Sequence, residues 1–197
     1  MRKIFVILLS LSLLASCKSE DTLLSERDKI VKYLTDTRRM IAEEAMGEVI
    51  QEEPSFYSTF GRYAYRHIVN YYDEGRESRP QIEWGDKLEL RFNAYTFTGT
   101  EPKNKGNLYW SNIPEVITQL GSSSGNTLDW STEPLFIELG KTDILDGLEL
   151  TLPGCYEADS IQVYMTSELA YGKALIGSVP KNSMIAWYIK VEKVTKK

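Results

Sequence analysis

Histidine and cysteine are scarce in this 197-residue chain, which has one histidine, His67, and two cysteines, Cys17 and Cys155. A zinc site built on several histidines is excluded, and any Ser-His-Asp or Cys-His arrangement has to use His67. A Cys155–His67 pair is formally available, but a lone cysteine more often packs as a small hydrophobe. His67 lies in a strand-like stretch and reads as structural. With 23 Lys and Arg against 28 Asp and Glu, the chain has no basic surplus with which to neutralise a phosphate backbone. Nucleic acid is not an expected partner.

Cys17 has a different chemistry. It closes the string MRKIFVILLSLSLLASC, in which Arg2 and Lys3 precede an apolar run from Ile4 to Leu14 and then small residues. That pattern is a secretory signal, and the run is too short to span a bilayer. The ending Leu14-Ala15-Ser16-Cys17 resembles a bacterial lipobox, which implies removal of residues 1–16 and diacylation of Cys17. An ordinary signal peptide with a nearby cysteine is the competing reading. Two acyl chains would tether the chain to a membrane, in the cell envelope, while the polypeptide stays in water. Loss of Arg2 and Lys3 changes the net charge by two, from −5 to −7. Cys155 is then the single thiol, and no internal disulfide can form.

The elements that would position any site follow from periodicity. The composition, 42% hydrophobic and 26% charged, is that of an ordinary globular domain, long enough for one core with an appendage. Residues 17–60 read as a tether and a helical segment. Ile30, Leu34, Ile41, Ala45 and Val49 fall near one face of a helix over 23–50, either single or broken near Thr35-Asp36-Thr37. Dimerisation, a spacer role and packing on the chain's own domain are the readings open for it. Residues 61–197 read as the main domain.

Within that domain, Arg62 to Tyr72 is aromatic and β-branched and predicts a strand. Lys87 to Phe97 alternates Leu88, Leu90, Phe92 and Ala94 with polar neighbours, as a half-buried strand does. An irregular segment of about 113–133 reads as an insertion. A strand at 134–139 follows, then a short amphipathic helix within 142–152 that stops at Pro153-Gly154. Ile161, Val163 and Met165 alternate, as do Ile185, Trp187, Ile189 and Val191. The fold class is α+β: an antiparallel sheet with one short helix to cover its apolar face.

Several local strings, in order, resemble the FKBP-type peptidyl-prolyl cis-trans isomerases. Ser167-Glu168-Leu169-Ala170-Tyr171-Gly172, then Val179-Pro180-Lys181-Asn182-Ser183 and the final strand MIAWYIKVEKV, resemble the family's P-x-x-A-Y-G, I-P-P-N-S/A and last strand. Pro134 to Gly140 resembles its P-F-x-F-x-L-G strand, and Ile144-Leu145-Asp146-Gly147-Leu148 its V-I-x-G-W helix start. The resemblance covers roughly Trp84 to Val194. It implies a twisted antiparallel sheet wrapped on the helix beginning near Asp143, with a groove between them that binds proline-containing peptides or unfolded exported proteins.

Such a groove needs no nucleophile, metal or cofactor. Amide resonance puts the rotation barrier near about 18–20 kcal/mol, and X-Pro bonds populate both isomers. A dry aromatic pocket favours the twisted, less charge-separated amide. By resemblance Tyr171, Phe92 and Leu145 are the catalytic set. Tyr171 offers its hydroxyl and Leu145 its backbone N–H to substrate carbonyls. Tyr109, Leu135, Ile144, Leu148, Val179 and Trp187 complete the binding walls. Three departures bear on activity: Leu148 replaces the tryptophan floor, Phe92 lacks a tyrosine hydroxyl, and Tyr109-Trp110 replaces a Phe-Asp pair. An inactive binding module is the alternative function. Without the family strings, most of these residues would read as core, and Tyr109 and Trp110 as an aromatic contact site for peptide or glycan.

Overall fold

The computed structural model describes residues 20–102, 106–120 and 130–197. The expected signal segment, Cys17 and much of the insertion lie outside the described residues. Among the described residues no helix is long and apolar enough to cross a membrane.

The sheet is organised by its two longest strands. β4 (Lys87–Phe97) and β8 (Met184–Thr195) pair antiparallel along their whole length, from Lys87↔Thr195 to Phe97↔Met184. β7 (Ser160–Met165) flanks β8, then β3 (Ala64–Ile68) and β2 (Phe56–Phe60), all antiparallel. The outermost pair departs from the expected pattern, since β1 (Ile41–Ala42) runs parallel to β2. β5 (Leu108–Ser111) and β6 (Leu135–Glu138) share the other edge of β4. β5 pairs with Asn93–Tyr95 and β6 with Lys87–Leu90, so the insertion leaves the sheet between them. Part of that insertion, expected to be irregular, is a short helix, α2 (Pro114–Leu120).

Period-2 burial sorts the core into two layers. Leu88, Leu90, Phe92 and Ala94 of β4 join Ile161, Val163, Met165, Ile185, Trp187 and Ile189 on one face, under Leu148 of α3 (Asp146–Thr151) and Leu152 at its C-cap. Tyr95, Phe97, Tyr164 and Ala186 point the other way and are covered by Ile30 of α1, an α-helix over 20–32, and by Tyr33 and Leu34 of the π turn that continues it. Burying each such aliphatic side chain contributes about 1.5–3 kcal/mol.

The long helix expected over 23–50 ends at the break. Its last turn, Tyr33–Thr37, widens to π geometry, and Thr35 Oγ1 bonds the Val31 carbonyl and Asp36. Short polar side chains that bond locally compete with continuation of the helix. Ile41 therefore sits in β1 and Ala45 in the 3-10 turn Glu43–Glu48, each only half-buried. Ile30 and Leu34 pack on the chain's own sheet. The boundary drawn at residue 60 falls inside the β2–β3 hairpin, and the strand expected over 62–72 is confined to Ala64–Ile68, with Val69 54% exposed.

α3 is held to the sheet at both ends. At its start, a Cβ on Gly147 would lie 2.7 Å from Met165 Sδ, so glycine permits the close approach to β7. At its finish, Arg66 Nη1 of β3 donates to the carbonyls of Thr151 (2.7 Å) and Pro153 (2.8 Å). A cation there also complements the helix dipole.

Candidate functional site

Between the start of α3 and the sheet lies a groove of about 440 Å³, open on one side. Trp187 lines it, 2% exposed, and stacks on Phe92 with centroids 4.3 Å apart and planes at 21°. Trp110 meets both rings edge-on, at 4.7 Å from Phe92 and 5.6 Å from Trp187. Offset and edge-to-face pairs of this kind hold aromatic surfaces rigid.

A bulge in β5 builds the next wall. β4 and β5 pair as Ala94↔Trp110 and Tyr95↔Leu108, which leaves Tyr109 as the extra residue. Such a bulge turns two neighbouring side chains toward the same face. Trp110 lines the groove, while Tyr109 lies beneath it, 1% exposed, accepting the Trp187 indole N–H at 3.0 Å. The Tyr109 hydroxyl is 3.2 Å from that of Tyr171, which lines the opening. Burial raises the pKa of both phenols, so both remain protonated near neutrality.

Leu145 is the N-cap of α3, with φ −60° and ψ 134°, and its carbonyl accepts the N–H groups of Leu148 (2.9 Å) and Glu149 (3.0 Å). Extended geometry at this position turns its own N–H away from the helix, and no backbone carbonyl among the described residues receives it. Ile144 and Leu135 form the sides, and Leu148 reaches the groove although it is 2% exposed. Thr142, Asp143 and Asp146 edge the mouth and give it an acidic side.

Of the residues expected from sequence, Tyr171, Leu145, Leu135, Ile144, Leu148 and Trp187 come together around the groove. Phe92, Tyr109 and Val179 do not line it. Phe92 backs Trp187, Tyr109 supports Tyr171, and Val179 is fully buried where it closes the loop after Tyr171 through Val179 N–H to Ile176 O at 2.8 Å. Trp110 was expected only in the alternative reading as an aromatic contact site, and the two aspartates were not expected at all. The adjacent aromatics Tyr109-Trp110 are the signal that could have found Trp110, since one extra residue in an edge strand presents both to one face.

The other reactive groups lie elsewhere. Burial pushes the Cys155 thiol up to about 11, and its sulfur receives Arg66 Nη1 at 3.3 Å, whereas His67 Nδ1 bonds Phe56 O at 2.8 Å. Among the described residues no group of three or more His, Cys, Asp or Glu is placed to hold a metal ion.

A short helix packed on the concave face of a mostly antiparallel sheet, with an aromatic groove at its N-terminal end, defines the class of fold. No protein-family model matches the chain, and no curated protein matches it by sequence. Solved structures do. The N-terminal domain of FKBP42 from Arabidopsis thaliana superposes with a TM-score of 0.52 at 18% identity, covering 75% of this chain and 98% of that one. The three FKBP domains of wheat FKBP73 give 0.53 at 13% identity, covering 73% of this chain and 52% of theirs, so the match spans about half of that three-domain chain. A peptidyl-prolyl cis-trans isomerase from Pseudomonas syringae pv. tomato gives 0.52 at 14% identity, covering 90% and 96%. The chain has the FKBP-type fold.

Proposed function

We propose that this protein binds proline-containing segments in the groove above Trp187 and accelerates their cis–trans isomerisation, acting on exported proteins from a lipid anchor at Cys17. The observation that carries the reading is the enclosure of an apolar, aromatic-floored groove between two donors, the Tyr171 hydroxyl and the Leu145 N–H. A prolyl ring resting on Trp187 loses its water. The donors fix the flanking carbonyls while the imide twists, and desolvation favours the twisted amide over the planar one. The envelope setting is supported by residues 1–17, which have the order of a lipoprotein signal.

A protease-coupled or refolding assay on X-Pro substrates tests the activity. The mature protein is expected to accelerate isomerisation, and Tyr171→Phe to slow it. A background rate with no peptide binding removes the proposal. Leu148 favours the second reading, a binding module without catalysis, because an aliphatic side chain replaces the family's flat tryptophan surface. Peptide binding at the groove with a background isomerisation rate would select it.

A further inference from the structure

We propose that Glu26 of α1 is a positioning residue for the groove, acting through Ser167 on Tyr171. The inference rests on the prolyl-binding reading but arises from a part of the chain outside the stretch that resembles isomerases.

Glu26 is 6% exposed, and both its carboxylate oxygens are used by one residue 141 positions away. Oε2 accepts the Ser167 N–H at 2.8 Å, and Oε1 accepts the Ser167 hydroxyl at 3.0 Å. A buried carboxylate is unfavourable unless its lone pairs are met, and charge-assisted bonds to an N–H and an O–H are among the stronger ways to meet them. Ser167 starts the 3-10 turn Ser167–Leu169, and its carbonyl accepts the N–H groups of Ala170 (3.2 Å) and Gly172 (2.8 Å). Those amides flank Tyr171 on both sides. The backbone carrying the Tyr171 hydroxyl is thus rooted on Ser167, and Ser167 is rooted on Glu26.

The other end of the linkage is fixed as well. Ile30, Tyr33 and Leu34, one to two turns after Glu26, are buried against the back face of the sheet. The Tyr33 hydroxyl donates to Glu101 Oε2 at 2.9 Å, and Tyr188 donates to Oε1 of the same residue at 3.1 Å. α1 therefore lies on a rigid support and delivers Glu26 to the turn at the end of β7. The helix that follows the N-terminal tether sets the angle at which Tyr171 faces the groove.

The test pairs peptide affinity with a reporter that needs no ligand. Glu26→Ala is expected to weaken binding of a fluorescent X-Pro peptide by roughly three- to tenfold, and to have no further effect on affinity in a Tyr171→Phe background. Its loss of thermal stability should be the same in both backgrounds. Ser167→Ala, which removes only the hydroxyl bond, should fall between. In parallel, 3-fluorotyrosine placed at position 171 should show a shifted or broadened 19F resonance when Glu26 becomes Ala. An unchanged resonance, or an equal affinity loss with and without the Tyr171 hydroxyl, overturns the positioning role. If the unaltered protein binds no prolyl peptide, the functional reading fails, and the 19F resonance still decides the role of Glu26.

Discussion

The Trp187 indole donates to the Tyr109 hydroxyl across 3.0 Å, beneath the groove. Tyr109 Oη also lies 3.2 Å from Tyr171 Oη, and with Tyr109 as the donor across that contact the Tyr171 proton is presented to the opening. A short relay of donors thus ends at the position where a substrate carbonyl would sit.

Tyr109→Phe tests that relay. It removes this acceptor of a buried indole N–H, and leaving such a donor unsatisfied costs about 1–3 kcal/mol. Urea unfolding should show a loss of that size, together with weaker prolyl-peptide binding. Tyr171→Phe should lower peptide turnover with a smaller stability loss, because Tyr171 is half-buried at the opening. Equal stability losses in the two variants would contradict the assignment of Tyr109 as support and Tyr171 as donor.

Leu148→Trp probes the floor. Leu148 is 2% exposed but borders about 440 Å³ of open groove, so a larger side chain has somewhere to go. Overpacking is expected to destabilise the fold by about 1–3 kcal/mol. A second flat ring beside Trp187, against the proline, should at the same time raise isomerisation, the opposite direction to Tyr171→Phe. Stopped-flow assays and melting curves on the same preparations separate the two effects. An unaltered rate in a folded variant would show that the floor does not limit activity.

The sheet was legible in the sequence wherever one face is apolar and the other wet. Alternation from Lys87 to Phe97 predicts β4 with the bounds it has, and the same rule finds β7 and β8. It fails where both faces are covered. Tyr95, Phe97, Tyr164 and Ala186 point away from α3, and their apolar character was a sign that a second layer, α1, lies behind the sheet. β2 escaped notice because Phe56–Phe60 is five residues long with Ser58 and Thr59 inside it, which left it in the tether. At the site, residues named from ordered strings came together, but a local bulge decided which of Tyr109 and Trp110 reaches the groove. The Glu26–Ser167 contact spans 141 positions and leaves no periodic trace.

The acidic side of the groove should select substrates. Asp143 and Asp146 are exposed at its mouth, and among the described residues no lysine or arginine lines it. Carboxylates at the edge of an apolar cleft concentrate cationic ligands, an effect that salt screens with a length of about 10 Å at 0.1 M. Peptides with Lys before proline should have a kcat/KM several-fold above those with Glu, about two- to fivefold at low salt. The ratio should shrink toward one at high salt and in an Asp143→Asn, Asp146→Asn double variant. A ratio that ignores salt would assign the preference to shape instead.

Stability should respond to the single histidine between pH 7 and pH 5. His67 is 9% exposed, and its Nδ1 bonds the Phe56 carbonyl at 2.8 Å, which ties β3 to the start of β2. Burial depresses its pKa in the folded chain, outweighing the Phe56 bond that favours the charged form, and the Arg38 charge adds to the depression. The unfolded chain titrates at about 6.5. Below that pH the unfolded state takes up a proton that the folded state resists, so the contribution is complete above about 6.5 and is lost as pH falls toward the folded value. One proton limits the slope to about 1.4 kcal/mol per pH unit. Asp86, whose pKa is lowered in the folded state despite its burial by bonds from Lys196 and backbone amides, follows the carboxylate rule and acts only at more acidic pH. Urea melts of the unaltered protein at pH 7, 6 and 5 should therefore show a stepwise loss that His67→Gln flattens. Parallel losses in both proteins would place the titrating group elsewhere.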